Sequence, residues 1–335
     1  MSQVPLRLAA VSAPTWALLL SSSPLDAVPA HMIVGFNAVD ASLVADAASL
    51  GVTNDVLYNG PPTPTSSFGR ALTAAHMDVI DASISNDLYF WECHRTHTVA
   101  PPPPGQRNWY CRRDYEPSFT TSKLLDAVQS SESADASNPL VSGYWVLDDW
   151  PTWDGGSAQT VLQQIHREIE ATTPGYPAIC GFGGTIGPPG TAEWTPSTAA
   201  NYSTTGCDMV GLYNYANETG RKSDGDRLDW TMQSLLPAME SSLAAQGWSA
   251  SASPVLGIGQ GWSGRFAGGY EPGLSASQVL AEANAFCGNG VSSIGWYGWT
   301  DSGFHRTTRT PVNSTAIDSG IEQSISACQA DWAAS

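Results

Sequence analysis

Lysine is nearly absent: Lys123 and Lys222 are the only two in 335 residues. With 14 basic against 31 acidic side chains, the formal net charge is -17. A nucleic-acid binder needs a basic stripe or patch, and none is visible. Attraction to an anionic membrane surface is disfavoured on the same ground. No run approaches the roughly 18 uninterrupted apolar residues of a membrane-spanning helix. The cysteines form no CxxC pair, which argues against a zinc ribbon or a thioredoxin-like site. HxH and HExxH are missing, and no GxGxxG follows the first apolar run, so no cofactor is expected.

What is abundant is aromatic: 13 Trp, 11 Tyr and 8 Phe, against only 13% charged residues. Six cysteines occur, at 93, 111, 180, 207, 287 and 328. An even count fits disulfides in an exported protein, and the simplest of the 15 connectivities is sequential. That pairing predicts Cys93–Cys111, Cys180–Cys207 and Cys287–Cys328. Residues 1–30 read as a leader, with Arg7, an apolar stretch and a small-x-small site at Val28–Ala30, which is the outline of a signal peptide. A secreted or extracytoplasmic monomer is the resulting expectation.

Beyond the leader, short apolar or aromatic runs alternate with amphipathic segments. The runs begin at Met32, Asn54, Asn86, Gly143, Tyr176, Cys207, Ser253 and Val291. The third, "NDLYFWECH" at 86–94, reads as a strand, and "FGRALTAAHMDVIDASI" before it as one helix. The clearest helix is "SAQTVLQQIHREIEAT", with Val161, Leu162, Ile165 and Ile169 on one stripe. Eight strands, each followed by a helix, predict an α/β fold, a single (β/α)8 barrel over residues 31–335. The strands alternate little between apolar and polar, as parallel strands buried on both faces should.

Active sites of such barrels lie at the carboxyl ends of the strands. The stretch "GYWVLDDWPTW" puts Asp148 and Asp149 at one such end, followed by Trp150. The other ends supply Asn37, Tyr58, Trp91, Glu92, His94, Tyr213, Asn214, Gln260, Trp262, Trp296, Trp299 and Asp301. Aromatic faces stack on sugar rings, and amides and acids bond hydroxyls, so the predicted partner is an oligo- or polysaccharide. Asp149 is expected to be essential and Asp148 supporting, with Glu92 the second carboxylate. Two rivals remain. One is a metal-dependent hydrolase built on Glu92, His94, Asp148 and Asp149. The other is a barrel that binds glycans without cleaving them.

In these features the sequence resembles the TIM-barrel glycoside hydrolases as a superfamily. In the large retaining clan, strand four ends in Asn–Glu–Pro, and alignment on the strand end would put Asp148 on the Asn and Asp149 on the acid/base Glu. Here Asp replaces that Glu, and Trp150 precedes the proline. Gln260 stands where the clan has its second Glu. The chitinase-like DxxDxDxE pattern is absent. "GWTDSG" after strand eight resembles the aromatic platform of many of these enzymes.

Overall fold

A computed structural model describes residues 31–96, 120–150, 155–183, 206–215, 236–245, 255–266, 269–271, 273–301 and 303–334. The leader and the Cys93–Cys111 pairing lie outside the described residues. The elements in chain order are β1 (Ile33–Phe36), α1 (Ala41–Leu50), β2 (Asn54–Leu57), α2 (Ser67–Ala75), β3 (Asp78–Asp81), α3 (Ser83–Thr96), α4 (Thr121–Asp135) and β4 (Val141–Trp150). There follow α5 (Gly155–Thr172), β5 (Ala178–Gly183), β6 (Met209–Tyr213), α6 (Leu236–Ala244) and β7 (Val255–Gln260). The last are a small hairpin of β8 (Gly264–Phe266) and β9 (Gly269–Glu271), then α7 (Ala276–Cys287), β10 (Ser293–Tyr297) and α8 (Thr315–Ala334). All barrel pairings are parallel, and β10 closes back onto β1, so eight strands form the (β/α)8 barrel.

The apolar side chains sort into a bore and an outer belt. Val34, Phe36, Val56, Ile80, Trp145, Ile179, Met209, Tyr213, Leu256 and Ile258 fill the bore. Their strand neighbours face the helices: Val161, Leu162, Ile165 and Ile169 of α5 pack with Val146, Cys180, Val210 and Leu212. On the other side Val279 and Ala283 of α7 pack with Ile294, Ile317 and Ile321. The bore holds a full-sized indole because Gly181 stands beside it. A Cβ at 181 would come within 2.3 Å of the Trp145 ring.

The third strand is a correction. The segment 86–94 is helical, within α3, because Ile84, Leu88 and Trp91 recur at helical spacing and bury one stripe. The strand is instead Asp78–Asp81, in the middle of what reads as one helix. α2 stops at Ala75 because His76 adopts a left-handed conformation, φ 53, and its N–H caps Leu72 and Thr73. A non-glycine residue in that role leaves little trace in the sequence.

Two of the sequentially paired disulfides are present. Cys180–Cys207 joins β5 to the lead-in of β6, and Cys287–Cys328 joins α7 to α8.

A cluster of acids lies between β3 and α4. Asp81 and Asp135, both buried, share a cavity of about 460 Å³ with Asn59, Ser83 and Ser131. Burial, helped by the charge and hydrogen bond of Asp81, pushes the Asp135 carboxyl up to about 8. Burial likewise lifts Glu132 to about 7 and Asp87 to about 6. Carboxyls raised above their unfolded values keep more protons in the folded chain than in the unfolded one. Stability therefore falls as pH rises towards 8. The melting temperature should drop by about 5 °C or more between pH 5 and pH 8.5, and Asp135→Asn should flatten the slope. A melting temperature that rises across that interval would contradict the assignment.

Candidate active site

The carboxyl ends of β2, β4 and β6 converge on one oxygen. Asp148 Oδ1 accepts hydrogen bonds from the Tyr58 hydroxyl at 2.9 Å, the Trp145 indole N–H at 2.9 Å and the Tyr213 hydroxyl at 2.5 Å. The geometry follows from the strands. Trp145 and Tyr213 point into the bore from β4 and β6, and Tyr58 leans in from just beyond β2. The β4–β5 register shifts between Leu147 and Trp150, and this irregularity accompanies the turn of Asp148 inwards. Oδ2 accepts none of these three bonds. Burial raises the pKa of Asp148, and the bonds from Tyr213, Trp145 and Tyr58 oppose the rise. The Tyr58 hydroxyl lies 3.4 Å from that of Tyr213. Burial, then the charge of Asp148, pushes the Tyr58 phenol well above its usual range. It stays a donor.

A second carboxylate faces Asp148 across the mouth. Asp301, beyond β10, accepts hydrogen bonds from the Tyr297 hydroxyl and the Gly303 N–H. Burial raises its pKa first, the Gly303 bond lowers it, and the charge of Asp148 raises it further. An aromatic wall connects the two acids. Tyr215 meets Trp262 at 6.2 Å and Tyr297 at 6.3 Å between ring centroids, and Trp262 meets Phe304 at 5.8 Å. Tyr215, Tyr297 and Phe304 are half-buried, while Trp262 backs them from a buried position. Such a wall can hold the apolar face of a ring while the acids work on its polar edge.

Other expected site residues fall elsewhere. Trp91 is buried on α3, where its N–H donates to the Thr121 hydroxyl at 3.0 Å. Trp296 and Trp299 are turned out of the bore into the belt beneath the helices, and the Trp299 N–H donates to Asp46 of α1 at 3.0 Å. Trp91 belongs to the barrel-facing stripe of α3, and all three side chains are buried in the belt between strands and helices. Glu92 and His94 belong to α3, not to a strand end. Their side chains, and those of Asp149 and Trp150, lie outside the described residues, as do most members of the metal alternative.

Asn37, Asn214 and Gln260 are buried in the framework of the rim. Asn37 has φ 62, and its carbonyl accepts the Thr300 hydroxyl at 2.9 Å. The Gln260 amide donates to the Trp262 carbonyl at 2.8 Å. Sequence reading missed Trp145 as a donor to the site, because it reads there as one more apolar residue of β4. It also missed Phe304, which follows the last strand by several residues.

No protein-family model matches the sequence, and no curated protein matches it either. Solved structures share the (β/α)8 barrel. The endo-1,4-β-mannanase of Rhizomucor miehei is similar with a TM-score of 0.52 and 10% identity, over 87% of this chain and 90% of that one. A β-galactosidase from the psychrophilic Marinomonas ef1 is similar with a TM-score of 0.56 and 8% identity, over 91% of this chain and 60% of that one. At such identities the likeness extends to the barrel alone.

Proposed function

We propose that the chain is a glycoside hydrolase that cleaves a glycosidic bond at the mouth of its barrel. Asp148 serves as the ionised carboxylate and Asp301 as the proton donor. The observation that carries this reading is the convergence of three donors on Asp148 Oδ1. Those donors hold the ionised form of a buried carboxyl, beside a second acid whose pKa burial raises. Asp301 would protonate the leaving oxygen. Asp148 Oδ2 would then attack the anomeric carbon or take a proton from the water that does. The spacing of the two carboxyls with substrate bound selects between retention and inversion. Full turnover in Asp301→Asn would move the donor's role to Asp149, next along β4.

The test is turnover on a panel of glycans headed by β-1,4-mannan and β-galactosides, with the anomeric form of the product followed by NMR. Release of reducing ends that persists in excess chelator is the expected result. Binding without release on every glycan would favour the non-catalytic barrel, and loss of turnover on chelation the metal-dependent hydrolase.

A further inference from the structure

We infer that His166, Glu170 and Asp208 form a binding site for a divalent transition metal of the zinc class, at the end of the barrel opposite the catalytic mouth. His166 and Glu170 lie one turn apart on α5, so their side chains share a face. Asp208 immediately precedes β6, at the amino end of that strand. The ligand atoms of the three all lie within 4.8 Å of one another. Tetrahedral zinc, with its ligands at about 2.0–2.2 Å, needs them roughly 3.5 Å apart, a closing that side-chain rotation supplies.

The site is held rigidly before any metal arrives. Asp208 Oδ2 is fixed by the N–H of Ala178 at 2.8 Å. The neighbouring Cys207 is tied to Cys180 of β5. Gly206 lets this segment press against α5: a Cβ there would meet the Leu162 backbone at 2.7 Å. The lead-in of β6 is thereby locked one turn of helix from His166.

The charges also favour a metal. His166 Nε2 lies 3.0 and 3.2 Å from the two oxygens of Asp208. With His166 protonated the triad carries one net negative charge. When a divalent ion binds, His166 releases its proton, its ring nitrogen and two carboxylate oxygens become ligands, and the net charge is zero. All three side chains are half-buried, so water can complete the coordination. Barrel catalysis belongs at the other end of the strands, so this metal would brace α5 against β5 and β6.

The test is calorimetric titration of the full chain, first stripped with chelator, with zinc sulfate at pH 7.5. Cobalt(II) absorption reports the coordination geometry. One equivalent should bind to this site with proton release, and the affinity should fall about tenfold per pH unit once His166 is protonated. Glu170→Gln and His166→Ala should each weaken that binding at least tenfold. Glu170 bonds to nothing else in the fold that this reading needs, so its variant should keep the wild-type circular dichroism. Calcium should not compete, and glycan turnover should be the same with and without zinc. Absence of zinc binding, or binding of undiminished affinity and stoichiometry in both variants, would overturn the assignment.

Discussion

Asp148→Asn should abolish glycan turnover, by about a thousandfold or more in kcat, while the melting temperature moves little. The amide keeps the shape of the carboxylate and still offers Oδ1 to Tyr58, Trp145 and Tyr213. What it loses is the charge and nucleophilicity of the other oxygen. Asp301→Asn should fall comparably on substrates with a poor leaving group and much less on activated aryl glycosides, which need little proton donation. Tyr58→Phe supplies the directional control. Removing one donor from the ionised form raises the pKa of Asp148, so the acidic limb of the pH–rate profile should move to higher pH without collapse of kcat at its optimum. If Asp148→Asn retains wild-type turnover on the true substrate, the assignment of the bore carboxylate fails. A variant that loses activity only because it unfolds would be exposed by its melting curve.

The second large effect concerns Cys287–Cys328. The bridge spans 41 residues, and the loop it closes contains β10, the strand that completes the barrel. Closing a loop of that length restricts the unfolded chain by an amount equivalent to about 3–4 kcal/mol. For a domain of this size each kcal/mol corresponds to roughly 2–4 °C, so the double variant Cys287→Ala/Cys328→Ala should melt about 10 °C lower. Alanine is preferred to serine because both cysteines are buried, and a hydroxyl there would be left without a partner. A fall of under about 3 °C would show that the tie between α7 and α8 is already secured by packing. Calorimetry under non-reducing conditions distinguishes the two.

Much of this architecture is legible in the order of residues. The α5 stripe, seven of the eight strands and two disulfide pairings follow from periodicity and cysteine count. The failures share a physical cause. Parallel barrel strands are apolar on both faces, so period two is silent about which face is which. In "IGWYGW" the sequence does not tell that Tyr297 enters the bore while Trp296 and Trp299 leave it. The same ambiguity keeps the sequence from telling which of Asp148 and Asp149 turns inwards; a register shift near the end of β4 accompanies the inward turn of Asp148. The third strand was hidden for another reason. Four residues, Asp78–Asp81, are too few to show a period beside an aromatic-rich helix. The aromatic density of α3 reads as strand because bulky side chains favour both a sheet and a buried helical stripe.

The rings of Phe36, Trp145 and Tyr213 pack at 5.3, 6.1 and 6.3 Å between centroids across the bore. Met32, Val34, Ile179 and Leu256 fill the same interior around them. The barrel is therefore a cul-de-sac whose floor is aromatic. A polymer cannot thread along its axis, so under the proposed function a glycan to be cut would lie crosswise over the opening. Under that reading product would leave by the door through which the next substrate enters, and the two would compete for one threshold. Trp145 belongs to both storeys at once, since the indole that plugs the floor also donates the hydrogen bond that aims Asp148. Trimming that ring to open a passage would misdirect the carboxylate above it, so one side chain both closes the bore and serves the proposed chemistry.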